Sequence, residues 1–278
     1  MITQFFEHDV LIDGVRVNGV QNVSQGLNLE TNRPIIFGDS TAVAEMYGSP
    51  TISFSFTKVL TSHSPKWGGP FDIRDWIFKR PVKTYSAEIA LTSGASVFLD
   101  KCWIKTIRFN FPNVGNFTQD VEFEGRVSEI GPSTITIKNE EGTVYRRQHF
   151  TPSVPGDVPA YPLINVSVEL NINYSEPLTY GGFKIYESQM VDYPCQVSST
   201  FEVYDLGYNI SRLQETNGLV NDLVAHRDIV ISSVPVSINL GDKNTLTSIE
   251  RSGADAGTND YSTLKFTYIN QNNFFTYS

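Results

Sequence analysis

The chain predicts a mainly β protein built from two tandem copies of one unit, on three observations. First, the stretch 22–38 recurs 143 positions later as 165–181, with Asn, Val, Ser, Leu, Asn, Pro and Gly identical at seven of seventeen positions. Leu29/Ile172, Ile35/Leu178 and Phe37/Tyr180 are conservative swaps, Pro50 and Pro194 follow at almost the same spacing, and Val121/Leu264 and Phe123/Phe266 return to the offset of 143. Self-similarity at a fixed period marks a repeated structural unit. Second, aromatic residues make up 12% of the chain, whereas charged residues at 18% are too few for a typical helical protein. Third, several stretches alternate apolar and polar residues with the period of a half-buried strand.

In the first copy, Asp9–Val20 reads as strand, Asp-Gly turn and strand. Val23–Thr31 continues as a strand. The connection Asn32–Pro50 holds Pro34, Gly38, Asp39, Gly48 and Pro50, too long for a tight turn, so it is a flap or a long hairpin arm. Thr51–Thr57 puts Ile52, Phe54 and Phe56 on one face. Gly69–Pro81, bracketed by prolines, predicts one short helix with Phe71, Asp75 and Phe78 on one side and Ile73, Trp76, Ile77 and Arg80 on another. Strands resume at Thr84–Leu91, Ser96–Asp100 and Lys101–Phe111. A turn at Pro112–Asn116 leads to Thr118–Gly125, where Val121 and Phe123 point one way.

Between the copies, Ser133–Lys138 and Thr143–Arg147 flank Asn139–Gly142 as a hairpin, and Thr151–Pro162 carries four prolines in twelve residues, the composition of a semi-rigid linker. The second copy follows the same plan. Leu163–Asn173 is a strand, Tyr174–Tyr193 a long connection and Gln196–Tyr204 a strand. Asn209–His226 is a helix with Ile210, Leu213, Asn217, Val220 and Val224 on its apolar side, weakened by Gly218. Strands complete it at Ile229–Asn239, Thr245–Arg251 and Thr263–Ile269. The expected division is residues 1–127, a hairpin and linker over 128–162, and residues 163–278.

A chain of 278 residues can bury the cores of two ordinary domains. The formal charge of −9, with Arg146-Arg147 and Lys79-Arg80 the only adjacent basic pairs, argues against binding nucleic acid, because phosphates are neutralised by clustered Lys and Arg. No apolar run is long enough to span a bilayer, and the start lacks a secretory pattern, so a soluble protein made and kept in a cytoplasm is expected. Cys102 and Cys195 predict free buried thiols rather than a disulfide framework.

Little chemistry is legible. His8, His63, His149 and His226 lack metal-ligand spacing, no nucleophile elbow or phosphate loop occurs, and Asp255, Asn259 and Asp260 do not fit a calcium loop. No catalytic residue, metal or cofactor is assigned. Sequons at Asn22, Asn116, Asn165, Asn173 and Asn209 reflect composition. Long strands left at a sheet edge carry unpaired backbone groups, which sister chains could complete. A closed sandwich with surface flaps satisfies the same pattern, and both remain open at this point.

Each half resembles the tail tube protein of long-tailed bacteriophages and related contractile systems. The residues carrying the likeness are Val23–Phe37 with the Pro34–Pro50 arm and Ile52–Thr57, then Val166–Tyr180 with the Pro177–Pro194 arm and Val197–Val203. Cys102–Phe109 with Asn116–Phe123 is similar to that family's last strand pair. The resemblance implies two tandem tail-tube-like β-sandwich or barrel domains, each with one short flanking α-helix, in a structural virion protein that is not an enzyme. It implies stacked rings around a channel through which DNA passes without specific binding, and contacts with other tail proteins. Family rings are six-fold, so a duplicated unit implies a homotrimer forming a pseudo-hexameric ring, located in the virion tail and assembled in the host bacterial cytoplasm. The arm residues expected to make inter-subunit contacts are Pro34, Ile36, Phe37, Asp39, Met46 and Tyr47, with Pro177, Tyr180, Phe183, Tyr186, Met190 and Tyr193. The segment 133–162 departs from the family and admits a distal tail or baseplate hub ring instead. A different class, a carbohydrate-binding β-sandwich, would use Trp67, Trp103, Tyr180 and Tyr186 as exposed platforms. A hydrolase would need a carboxylate pair that the sequence does not reveal.

Overall fold

The computed structural model describes residues 9–28, 31–32, 46–47, 51–61, 71–72, 84–90, 94–135, 143–156, 158–159, 162–175, 190–191, 195–207, 226–233, 236–253, 261–270 and 275–277. The first half contributes β1 (Val10–Ile12), β2 (Val15–Arg16), β3 (Val20–Asn28), β4 (Thr31–Asn32), β5 (Met46–Tyr47), β6 (Thr51–Val59), β7 (Phe71–Asp72), β8 (Tyr85–Ala90), β9 (Ala95–Pro112) and β10 (Thr118–Pro132). The second contributes β11 (Phe150–Pro152), β12 (Leu163–Asn171), β13 (Tyr174–Ser175), β14 (Met190–Val191), β15 (Gln196–Tyr204), β16 (Val230–Ser233), β17 (Ser237–Asn239), β18 (Asn244–Ser252), β19 (Thr263–Asn270) and β20 (Thr276–Tyr277). The protein is mainly β, as the alternation predicts.

The main sheet runs β3-β6-β10-β9-β12-β15-β19-β18, with every neighbour antiparallel. Its first four strands and its last four share one order, so the duplicated sequence folds into two copies of one sheet joined head to tail at β9·β12. The registers agree in detail. Val23 lies opposite Phe56 and Phe56 opposite Val121, just as Val166 lies opposite Phe201 and Phe201 opposite Phe266. The bulges agree too. Gln21 and Ile164 are each the extra residue at the start of the first strand, and Lys105 and Thr247 each the extra residue in the last. Bulges insert a single residue and increase local twist, so two at matching positions give both copies the same curvature.

A second layer repeats as well. β1, β8, the first part of β9 and the distal end of β10 pair in that order, and β11, β16, β17 and β20 do likewise. β9 crosses between the layers. Its residues up to Cys102 pair with β8, and its residues from Thr106 onward pair with β12. Gly125 allows this crossing, because a Cβ there would lie 2.5 Å from Cys102 Cβ and 2.6 Å from the Lys101 carbonyl oxygen.

The inward faces build one core. Phe54, Phe56, Ile107, Phe109, Val121, Phe123, Val166, Val168, Phe201, Leu264 and Phe266 are buried at alternate positions. Phe54 and Phe123 stack with centroids 4.8 Å apart, and Tyr85 meets Phe123 edge-on at 5.9 Å. Cys102 and Cys195 are both free and buried, and burial pushes the Cys195 thiol up to about 11.

Several sequence expectations change. Phe71–Asp72, expected to open a helix, is strand β7 paired with β20 at the C-terminal end, and residues 73–80 lie outside the described set. The helix expected at Asn209–His226 falls outside the described residues except for His226. The 128–162 segment is more than a hairpin and linker. Residues 128–132 extend β10, β11 pairs with β16, and Phe150 stacks on Phe111 at 4.9 Å and meets Phe117 edge-on. Val144 bridges to Thr61, and Val158 is buried. Ile229–Asn239 divides into β16 and β17, which pair with each other. The last strands correspond as Val121/Phe266 and Phe123/Tyr268, two residues away from the sequence alignment.

Lys58 points into this core at the end of β6, and burial pushes its pKa down from 10.5 to about 7. Between those values the unfolded chain holds a proton that the folded chain releases, so this group adds stability as pH rises from about 7 towards 10.5. Lys58→Met should therefore raise the melting temperature more at about pH 6 than at about pH 10. Calorimetry at the two pH values checks this, and equal gains would contradict it.

Candidate assembly borders and polar face

The outward face of the main sheet is the polar half of each alternating strand. It presents Ser53, Ser55 and Thr57 on β6, Asp120, Glu122 and Glu124 on β10, and Thr106, Arg108 and Asn110 on β9. On the second copy it presents Asn165, Ser167, Glu169 and Asn171 on β12, Ser198, Thr200 and Glu202 on β15, Lys265 and Thr267 on β19, and Glu250 on β18. Asp120, Glu122, Glu124, Glu169, Glu202 and Glu250 outnumber Lys105, Arg108 and Lys265. The face is therefore acidic and rich in small hydroxyl and amide groups.

Side-chain contacts lace the strands across this face. Thr57 Oγ1 donates to Asp120 Oδ1 at 2.6 Å, and Lys105 Nζ lies 2.8 Å from Glu124 Oε2. The hydrogen bond from Lys105 to Glu124 holds the ammonium pKa above its ordinary value. Across the β9·β12 junction, Arg108 Nε donates to Glu169 Oε2 at 2.8 Å and Thr106 Oγ1 donates to Asn171 Oδ1 at 3.0 Å. Asn171 Nδ2 in turn donates to Glu169 Oε1 at 2.9 Å. Lys265 and Glu250 approach to 3.6 Å. Pairs this exposed add little stability singly, and their arrangement mainly orders the face.

The two ends of the sheet differ from its middle. β3 pairs only with β6, and β18 beyond its Asn244 bridge to Arg227 only with β19, so each presents an open backbone border among the described residues. In register, Leu27 of β3 lies opposite Ile52, and Ile249 of β18 lies opposite Phe266. The hydrogen bonds Asn113 N–H to the Ile164 carbonyl and Ile172 N–H to the Lys105 carbonyl set the phase at the closed β9·β12 junction. In that phase Val166, Val168 and Leu170 aim their backbone groups at β9.

Of the arm residues singled out from sequence, Met46, Tyr47 and Met190 lie in described strands. β4 pairs with β5 and β13 with β14, so the feet of both long connections close as two-stranded ribbons at matching places in the two halves. Pro34, Ile36, Phe37, Asp39, Pro177, Tyr180, Phe183, Tyr186 and Tyr193 lie outside the described residues. The aromatic platforms of a carbohydrate module fare differently. Trp103 is buried and meets Tyr174 edge-on at 6.1 Å, which removes it as an exposed stacking surface. Trp67, Tyr180 and Tyr186 lie outside the described residues. Open borders are expected from the sequence, but not their place. Leu163–Asn171, a long strand of the kind expected to be left at an edge, is paired on both sides as β12. The borders fall on β3 and β18 instead, because an unpaired strand carries the same alternation as a paired one.

Among the described residues, no helix is long and apolar enough to cross a membrane. The chain matches neither any model of a known protein family nor any curated protein.

Proposed function

We propose that the chain is a structural virion protein, the ring-forming unit of a bacteriophage tail tube, in which three chains close a pseudo-six-fold ring. The observation supporting this reading is the head-to-tail order of the main sheet. Its two halves repeat the same four strands, and its free ends, β18 and β3, are the counterparts of the β9 and β12 strands that join inside the chain. A heterologous contact of this kind closes into a ring when the rotation permits and otherwise grows a filament. The matching bulges favour a similar turn in each copy, as a regular repeat around a ring requires.

The internal junction then supplies the register of the seam between chains. Asn110 faces Ser167 at β9·β12, and their counterparts are Ser252 and Ser24. Likewise Ile107 and Leu170 have Ile249 and Leu27 as counterparts. The acidic polar face lines the channel, where scarce Lys and Arg leave passing DNA few phosphate contacts. The two arms, from the Pro34 and Pro177 connections, reach the neighbouring ring and stack it. Other tail proteins dock at the ends of the tube.

The pair Ser24→Cys with Ser252→Cys tests the reading. These positions are the counterparts of a non-hydrogen-bonded pair, where Cα atoms lie about 4.5 Å apart, within reach of a disulfide. Mild oxidation should give covalent products of up to three chains, and light scattering of the parent protein should give three times the chain mass of 31.1 kDa. Negative-stain images should show rings or tubes. A lone 31.1 kDa particle at every concentration would end the proposal. Rings that fail to stack would favour a single distal or hub ring of the same build.

A further inference from the structure

The second layer carries a border that its own copy does not close, and its counterpart in the same chain identifies the missing partner. In the second half, Ile238 of β17 lies opposite Tyr277 of β20, and Tyr277 opposite Phe71 of β7. β7 belongs to the first half, so one copy lends a strand to the outer layer of the next. The first half has the same positions. Tyr85 opposite Cys102 corresponds to Arg227 opposite Asn244, and Ile89 opposite Val97 corresponds to Ile231 opposite Ile238. Val97 in turn lies opposite Ile130, which makes Ile130 the counterpart of Tyr277. Beyond Gly125, β10 pairs with β9 alone among the described residues, and no strand takes the place that β7 holds. Ile130 is 68% exposed there, a large apolar side chain on an open strand border.

We propose that the distal border of β10, Val127–Pro132, is a second docking site for another copy of this chain, which lends it a strand from its second half as the first half lends β7. This rests on the ring reading and names a contact separate from the β18–β3 seam. The direction is consistent. Within the chain, the copy that offers β9 to β12 is also the copy that lends β7 to β20. A neighbour offering β18 to β3 would therefore stand on the side from which β10 must be completed. Each junction would then be made twice, once in each layer, which resists hinging about a single strand pair.

Hydrogen exchange separates the two claims. Peptides covering the β3 and β18 borders and a peptide covering residues 126–133 are followed in assembled protein and in protein kept monomeric by dilution. Both sets should exchange roughly tenfold or more slowly on assembly. Slowing at β3 and β18 with no change at 126–133 overturns this inference and leaves the ring standing. No slowing at either overturns both. Ile130→Lys, at an exposed position, should keep the monomer's melting temperature and lower the fraction of trimer at a given concentration. Unchanged trimer would count against the site.

Discussion

Gln25→Pro is expected to yield a folded monomer that no longer forms rings. Gln25 is exposed on β3, and its counterpart at the closed junction, Val168, directs its backbone towards β9. The Gln25 N–H thus points away from β6 into the open border, a place where proline costs a lone chain little. In an assembled seam the same proline removes a ladder donor and places its ring against the incoming strand. Leaving the facing carbonyl without its donor costs about 1–3 kcal/mol per seam, a roughly five- to hundredfold weaker pairing. Light scattering should report the single-chain mass, with circular dichroism and melting temperature near the parent's. Gln25→Thr, which keeps the donor, should still assemble. Rings from the proline variant would show that β3 is not a seam.

The largest loss of stability is expected from Phe123→Ala. Its ring is fully buried, lies flat against Phe54, touches Phe56 at 6.1 Å and takes the edge of Tyr85. The strands around it are locked by cross-layer pairing, so the void cannot collapse easily. Removing such a side chain costs about 3–5 kcal/mol. The melting temperature should fall by about 10 °C. A fall of only a degree or two would mean that the core repacks around the gap.

The duplication and the inward faces were legible because both are written in short-range pattern. Ile52, Phe54 and Phe56, then Ile107, Phe109 and Phe111, alternate and are all buried. The first strands correspond at an offset of 143 in both readings, since Val20–Asn28 and Leu163–Asn171 align end to end. The last strands slip by two because β15 already stands 145 residues from β6. Sequence identity at Phe123 and Phe266 therefore pairs residues one step apart on the same face. β7 could not be seen locally. Two residues become strand only because a partner some two hundred positions away offers its border. The 3.6-residue pattern of the segment they open gives no hint of that. That β3 and β18 are the strands with open borders was not legible for a related reason, since pairing is a property of neighbours and not of composition.

The covalent β9·β12 junction changes how a closed ring would come together. Half of its joints form while each chain folds, at the high effective concentration of linked segments, and only the other half wait for collisions. Ring closure then scales with the third power of protein concentration, where six separate units would need the sixth. The joints left to collision would be the poorer ones. Gly26 and Glu250 stand where the internal junction has Glu169 and Arg108, so a seam between chains would lack that ion pair and would open and correct more readily before a ring is committed.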